Sequence, residues 1–260
     1  MLKKRLIGVV TVRDGWAVQS FGYKRYLPLG RPEWLVENLN RWGADEILIQ
    51  VIDRSKIDSG PDFALLERLG KLGLDTPLIY AGGIRSVADG VHLVRLGADR
   101  LVIDALLHDN VEVIKDLSWR LGAQAIIAAL PLSMNLNRLE WLDYRSKISA
   151  QLDDSVVSLI QAGVCLEVLI VDWVNEGTRD SFDQRLISSF PVKNIPVIAF
   201  GGISQTEQMT GLLHNPRVTG VAVGNFLSYR EHSIQKYKES IAGMFLRHAS
   251  YQSTFGMVNN

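Results

Sequence analysis

The sequence predicts a single α/β domain, a (β/α)8 barrel, in which eight parallel strands close into a barrel and a helix follows each strand. Apolar runs of strand length alternate with helical patterns from end to end of the 260 residues. Several of these runs are apolar on both faces, which is typical of parallel strands covered by helices. Eight strand–helix units in about 250 residues match the count and size of such a barrel. No linker rich in proline, glycine or serine divides the chain, so one domain spanning residues 1–260 is favoured.

The alternation places each element in order. Strands are expected near residues 5–12, 46–52, 77–81, 100–104, 124–130, 167–172, 196–200 and 219–223. Helices are expected near residues 32–42, 62–73, 86–97, 109–121, 150–162, 183–190, 204–214 and 230–247. The alternative is a doubly wound open sheet, but no GxGxxG motif follows the first strand.

Two stretches interrupt the alternation. Asp14-Gly15 stands between two apolar runs and predicts a hairpin at the end of the first strand. Residues 131–149 are mixed in character and predict an irregular excursion after the fifth strand. The polar tail from His248 onward is expected to be loosely ordered.

Composition excludes several classes of partner. The chain is 47% hydrophobic and 22% charged, with a formal net charge of zero. That balance gives no attraction to nucleic acid or to an anionic membrane. The single cysteine, Cys165, excludes an internal disulfide and predicts a reducing, cytoplasmic location. No apolar run approaches the roughly 20 residues of a membrane span, and the N-terminal run is interpreted as a first strand because it lacks a small-residue cleavage site.

One segment of the sequence occurs twice. Residues 77–84 read PLIYAGGI, and residues 196–203 read PVIAFGGI. A glutamate before a strand, at Glu46 and Glu167, and an aspartate at a helix start, at Asp62 and Asp183, repeat at nearly the same offset. The sequence therefore predicts two duplicated half-barrels, about 1–122 and 123–260.

The glycine pairs at strand ends predict phosphate sites. A glycine pair that leads into a helix exposes backbone N–H groups that can hold an anion. The candidates are Gly82, Gly83, Gly201 and Gly202, with Gly224 and Asn225 after the eighth strand. The alternative is that each pair only forms a tight turn that requires a positive φ.

A resemblance to a known family rests on motifs spread along the chain. They are MLKKRLI at 1–7, VRDG at 12–15, GADE at 43–46, GGIRSV at 82–87, GADR at 97–100, NEGT at 175–178 and AFGG at 199–202. The chain resembles HisF, the cyclase subunit of imidazole glycerol phosphate synthase, and HisF-like relatives from surface-polysaccharide gene clusters. The resemblance implies a duplicated barrel that takes ammonia from a partner glutaminase at its lower face. At the upper face, it implies closure of an imidazole ring on a substrate with two phosphates.

Four charges stand immediately before apolar strands, and their signs alternate along the chain: Arg5, Glu46, Arg100 and Glu167. Charged residues at strand starts are often merely solvated or kept for stability. The resemblance implies instead that these four form the ring through which ammonia enters the barrel. It also implies that Asp99 contacts the glutaminase.

The sequence departs from the family at the positions of the catalytic acids. The resemblance implies aspartates at the ends of the first and fifth strands, where this chain has Thr11 and Pro131. Neither side chain exchanges protons near pH 7. Asp104 also replaces an expected asparagine, a change that weakens the phosphate site near Gly82 and Gly83.

Three other acids end strands and are candidate catalytic residues: Asp53, Asp104 and Asp172. The alternative is that they cap helices or pair with Arg54, Arg85 or Arg179. The histidines, His92, His108, His214, His232 and His248, lack metal-ligand spacing, so neither a metal nor another cofactor is expected.

These observations lead to three hypotheses. The first is a HisF-like subunit that pairs with a glutaminase and channels ammonia for amidation of a sugar, sugar phosphate or related metabolite. The second is an active cyclase subunit in histidine biosynthesis. The third is a non-catalytic barrel that binds a phosphorylated ligand.

Overall fold

The computed structural model describes residues 4–57, 59–229 and 232–241. The strands are β1 Arg5–Arg13, β2 Trp16–Phe21, β3 Arg25–Gly30, β4 Glu46–Val51, β5 Leu78–Ala81, β6 Arg100–Ile103, β7 Ile126–Asn135, β8 Arg138–Asp143, β9 Ile148–Gln151, β10 Glu167–Asp172, β11 Val197–Phe200 and β12 Val218–Val223. The α-helices are α1 Pro32–Arg41, α2 Arg54–Ile57, α3 Phe63–Gly70, α4 Val87–Arg95, α5 Ala105–Asp109, α6 Val111–Leu121, α7 Asp154–Gln161, α8 Arg185–Ser189, α9 Thr206–His214 and α10 Ser233–Ser240.

Eight of these strands form a closed parallel barrel. Their order is β1, β4, β5, β6, β7, β10, β11 and β12, and β12 pairs again with β1. Helices lie between successive barrel strands, so the predicted (β/α)8 barrel is confirmed. The carboxyl ends of the strands, called here the upper end, meet at one face, and the strand starts meet at the lower end.

The two apolar faces of the strands enter two separate cores. On β1, Leu6 and Val10 pack in the large cluster between the barrel and its helices. Ile7 and Val9 of the same strand pack in a second cluster inside the barrel. Because each strand is buried on both sides, its sequence reads as a continuous apolar run rather than as an alternation.

The predicted hairpin after the first strand is confirmed. β1 and β2 pair antiparallel, with Arg13 opposite Trp16. Asp14 and Gly15 both have positive φ, 50° and 77°, as a two-residue hairpin turn of type I′ requires. The chain then returns as β3, which pairs with β2.

The excursion after the fifth barrel strand differs from its prediction. Instead of an irregular stretch, β7 continues to Asn135 and pairs antiparallel with β8, which pairs with β9. The first turn uses Leu136 and Asn137 at φ 46° and 64°. Leucine rarely adopts this conformation, so Leu136 is not a residue from which a turn would be predicted. Because β9 extends to Gln151, α7 begins at Asp154, where the Asp153 side chain caps it.

The last helix of the described ranges is α10. The helix predicted at 230–247 corresponds to α10, and its end and the tail from His248 lie outside the described residues. Lys238 on α10 contacts the buried carboxylate of Asp45 at 2.6 Å, and Asp45 also accepts the Leu6 amide. None of the helices in the described ranges has the length and apolar character needed to cross a membrane.

Candidate functional site

Four charged side chains meet at the lower end of the barrel. The Arg5 Nη1 atom lies 3.1 and 3.0 Å from the two carboxylate oxygens of Glu46, and its Nη2 contacts Glu167. The Arg100 Nη1 atom lies 2.5 Å from Glu167 and 3.4 Å from Glu46. Each carboxylate therefore contacts both arginines, and the four predicted residues form a closed ring of alternating charge, called here the lower ring.

The carboxylates of the lower ring are almost buried, each with a side chain 9% exposed. Burial would raise the pKa of Glu167, but two arginines and a hydrogen bond from Thr219 hold that pKa below its usual value. For Glu46 burial outweighs the arginines, and its pKa is raised. Ion pairs of this kind mainly offset the cost of burying their own charges.

Directly above the lower ring, the barrel interior is aliphatic. The strands place their next inward residue two positions further along, because side chains alternate between faces. This inner core includes Ile7, Leu48, Ile79, Val102, Ile127, Leu169, Ile198 and Ala222.

A cavity of about 750 Å³ opens at the upper end, which is within the usual range for small-molecule sites. Gln50, Asp104 and Trp173, at the ends of β4, β6 and β10, line it. Two tyrosines also line it. Tyr23 is in the β2–β3 turn, and β2 and β3 are called here the first excursion; Tyr144 is in the β8–β9 turn, and β8 and β9 are called the second excursion. Their ring centroids are 5.1 Å apart, and the Gln50 side-chain amide donates to the Tyr23 hydroxyl at 3.1 Å.

Asp104 lies between β6 and α5 and lines the cavity. Its side chain does not cap α5, and it has no hydrogen bond or ion pair with another residue of the described ranges. Burial, followed by the nearby Asp143 carboxylate, raises the pKa of Asp104 to about 7, against an opposing effect of Arg145. A carboxyl in this state exchanges protons readily at neutral pH.

The other two candidate acids accept hydrogen bonds from backbone amides of loops. The Asp172 side chain accepts hydrogen bonds from the amides of Asn175 and Asp183 at 3.2 and 2.8 Å, and from the Asn175 side chain. It is 1% exposed and does not line the cavity. Asp53 does line the cavity, but one of its oxygens accepts the Asp14 amide at 2.8 Å and so fixes the hairpin turn.

The alternative in which a candidate acid pairs with Arg54 is wrong. Arg54 contacts Asp62 at 2.7 Å rather than one of the three candidate acids.

Comparison with known proteins agrees with this geometry. A family model described as histidine biosynthesis protein matches residues 5–233. The chain belongs to the histidine biosynthesis protein family. Among its relatives, imidazole glycerol phosphate synthase subunit HisF of Natranaerobius thermophilus is 28% identical over 93% of this chain and 97% of its own length.

Further relatives have related names. A Vibrio vulnificus protein with the provisional name imidazole glycerol phosphate synthase subunit hisF2 is 30% identical over 90% of this chain and 86% of its own length. HisF of Staphylococcus saprophyticus is 28% identical over 93% and 97%. At 25–30% identity to such proteins, the chain is a divergent HisF-like member of the family.

At the two positions where the resemblance places catalytic aspartates, this HisF-like barrel has no proton-exchanging group. Thr11 is 6% exposed and is not among the residues that line the cavity. Pro131 lines the cavity within β7. Of the three candidate acids, Asp53 and Asp104, after β4 and β6, line the cavity.

The glycine pairs of the HisF-like barrel are required by backbone packing. Gly82 and Gly201 have φ of 127° and 101°, and a side chain on them would collide with the carbonyl oxygens of Val51 and Asp172. The tight-turn explanation therefore accounts for both pairs. Gly201, Gly202 and Gly224 border a cavity of only about 10 Å³, which holds about one water. Phosphate binding at Gly82, Gly83, Gly201, Gly202 and Gly224 stays a prediction.

The Asn225 side chain holds the first excursion. It accepts the Ser20 amide at 3.0 Å and donates to the Ser20 carbonyl at 2.5 Å. Glu176, in the loop after β10, accepts the Ser20 hydroxyl at 3.0 Å, and its own carbonyl accepts the Gly22 amide. The Asn225 side-chain amide is therefore engaged by the Ser20 backbone.

Asn225→Ala is expected to lower the free energy of unfolding by about 1–2 kcal/mol, because a buried backbone N–H and C=O of Ser20 lose their partners. Amide hydrogen exchange at Ser20 should accelerate at the same time. Asn135→Ala is the matched control, since its side-chain hydrogen bond to Glu140 is exposed. Equal exchange rates at Ser20 in the wild type and in Asn225→Ala would contradict this role.

Sequence reasoning missed the residues that cover the cavity. These are Tyr23 and Lys24 on the first excursion, and Tyr144, Arg145 and Lys147 on the second. No short motif marks them. The available signal was topological, because both excursions leave the carboxyl ends of strands, where barrels bind ligands.

No group of three histidine, cysteine, aspartate or glutamate side chains in the described part of the chain could hold a metal ion. His108 stacks on Trp141 with centroids 3.7 Å apart, and His92 stacks on Phe63. His248 lies outside the described residues. Burial raises the pKa of Cys165 to about 11, so this thiol stays protonated near the lower end.

Proposed function

We propose that this chain is a HisF-like synthase subunit that pairs with a glutaminase at its lower end and conducts ammonia through the barrel. The observation that carries the proposal is the order of three features along the barrel axis. The lower ring comes first, the aliphatic interior follows, and the 750 Å³ cavity lies at the upper end. The product is an amidated sugar, sugar phosphate or related metabolite.

The physical chemistry of this order suits ammonia. An ion entering the aliphatic interior would lose its hydration without compensation, whereas neutral ammonia carries no such charge cost. The charged side chains of the lower ring separate that interior from the solvent below. The relatives are named as subunits of a synthase, which supports a partner protein for this chain as well.

The lower end also has features of a docking surface. Leu166 immediately precedes Glu167 of the lower ring and is 51% exposed. Trp119, near the end of α6, is 85% exposed. Asp99, the predicted partner contact, is exposed and directly precedes Arg100 of the lower ring. Its carboxylate accepts the Leu78 amide at 2.8 Å. Exposed aromatic side chains are frequent anchors in protein interfaces.

Trp119→Asp is expected to weaken the complex with a partner glutaminase more than tenfold, because an apolar anchor is replaced by a charge. Calorimetric titration of the purified subunits measures the affinity, and glutamine hydrolysis measures the coupling. Leu136→Asp is the matched control, since Leu136 is 92% exposed at the upper end. An affinity reduced equally by both variants would contradict the docking surface, and no binding by the wild type would overturn the proposed function.

A second candidate is the imidazole glycerol phosphate synthase cyclase itself, which the names of the relatives favour. Thr11 and Pro131 count against it, because neither supplies the acid–base chemistry that the resemblance implies at these positions. The chain would be expressed in a histidine auxotroph that lacks the cyclase. Growth without histidine would make this second function the correct one.

A further inference from the structure

Among the described residues, one cavity-lining acid has no hydrogen-bond or ion-pair partner. The Asp53 and Asp172 carboxylates accept backbone amides, and Glu176 accepts the Ser20 hydroxyl. Asp104 has no such partner among the described residues, and its carboxyl lines the cavity. Asp104 is half-buried, so its carboxyl is open to water or to a ligand in the cavity.

The charged and titratable groups around Asp104 come from several elements. Asp143 and Arg145 on the second excursion and Asp109 of α5 act on it electrostatically. Tyr23 and Tyr144 stand beside it, and burial raises the pKa of both hydroxyls well above their usual value. The tyrosines therefore remain hydrogen-bond donors across the neutral range, and Asp104 is the group that changes its charge.

Arg145 is less available to a ligand. It contacts Asp109 with two nitrogens, at 2.5 and 2.7 Å, and it contacts Asp143 at 3.2 Å. This pairing fixes the second excursion over the cavity and places Tyr144.

Two lysines line the same cavity from the excursions. Lys24 lies in the β2–β3 turn and Lys147 in the β8–β9 turn, and both are exposed. Neither side chain has a carboxylate partner among the described residues. Two unpaired ammonium groups at the mouth attract a dianion, whereas the carboxylate of Asp104 repels one from the floor.

We infer that Asp104 is the proton-exchanging residue of this cavity, and that Lys24 and Lys147 hold a phosphate-like dianionic group of the same ligand. The ligand is thus a small phosphorylated metabolite oriented with its anion outward and its reacting group toward Asp104. A proton passes from an N–H or O–H of the reacting group to a carboxylate oxygen of Asp104 and returns from there. This assignment rests on the proposed function for the supply of ammonia, but its site stands on the cavity alone.

The test is a carboxyl NMR titration of the full chain with ¹³C in the aspartate side chains. Asp104→Asn identifies the Asp104 signal by its loss. In the wild type this signal is expected to titrate with a midpoint near pH 7. A midpoint below pH 5 would overturn the assignment, because the carboxylate could not then return a proton near neutrality.

Sulfate serves as the probe for the dianion, because it stays doubly charged across this titration. It is expected to raise the Asp104 midpoint by about 0.5–1 pH unit, since a bound dianion disfavours the carboxylate. A Lys24→Ala/Lys147→Ala variant should lose this shift, whereas the control Lys115→Ala on α6 should keep it. A wild-type midpoint that sulfate leaves unchanged would refute the anion site.

The result of the Asp104 titration can be distinguished from the result of the glutaminase-binding test. Failure of a glutaminase to bind would remove the source of ammonia and leave the Asp104 titration and its sulfate shift intact. A normal glutaminase complex with a midpoint below pH 5 would instead leave the proposed function standing and reject Asp104.

Discussion

Replacing Glu167 with alanine is expected to lower the free energy of unfolding by about 3–5 kcal/mol. Glu167 contacts Arg5 and Arg100 and accepts a hydrogen bond from Thr219 at 2.6 Å. Without it, two largely buried guanidinium groups share the single carboxylate of Glu46. Removing one partner from a buried ion pair leaves an uncompensated charge, and this effect exceeds the net value of the pair itself.

Urea unfolding at pH 7, followed by circular dichroism, measures the loss. Glu67→Ala is the control, because Glu67 pairs with Lys71 on the surface and should leave the midpoint unchanged. Glu167→Gln, which retains a hydrogen-bond acceptor for Thr219, should give a smaller loss than Glu167→Ala. Equal stability of the wild type and both Glu167 variants would show that the lower ring is merely solvated charge.

Asp104→Asn is expected to stabilise the fold at pH 8 by about 2–4 kcal/mol and to have little effect at pH 4. An aspartate of the unfolded chain titrates near pH 4, whereas the pKa of Asp104 in the folded chain is about 7. The raised pKa means that the folded state holds its proton between these values. Stability is therefore complete below pH 4 and falls as the pH rises through 7, and asparagine, which does not ionise, avoids that loss.

Urea unfolding of the wild type and the variant at pH 4 and pH 8 tests both the sign and the size of the change in stability. Asp53→Asn serves as the control, because it changes a cavity carboxylate that is hydrogen-bonded to the Asp14 amide. An Asp104→Asn variant that is less stable than the wild type at pH 8 would show that the carboxylate has a stabilising partner.

The barrel could be predicted because its determinants are local and repeated. Runs such as residues 168–171, apolar on both faces, become strands between two cores, and Ser86 and Asn110 cap α4 and α6. The lower ring was predicted from the family resemblance, and the fold supplies its physical reason. Its four members all stand at strand starts, and a closed barrel brings strand starts together.

The contacts at the upper end were less predictable, because they join turns that are far apart in the sequence. The sequence offered Asp53, Asp104 and Asp172 as equals, and their difference depends on which backbone amides reach them. Asp172 is engaged because the Asp183 amide, 11 residues later, turns back onto it. Tyr23 and Tyr144 meet only because two separate excursions fold over the same mouth. Contacts between distant turns produce no periodic pattern in a sequence.

The aliphatic interior also separates the acid–base behaviour of the two ends. Arg100 and Asp104 are four residues apart near one strand, so roughly 13 Å of barrel lies between them. Val102 and the other aliphatic side chains between them offer no hydrogen-bonding group along which a proton could travel. The aliphatic interior therefore does not conduct protons between the two ends of the barrel. Protonation at the lower ring and at Asp104 should therefore be thermodynamically independent, and the stability effects of Glu167→Gln and Asp104→Asn should add.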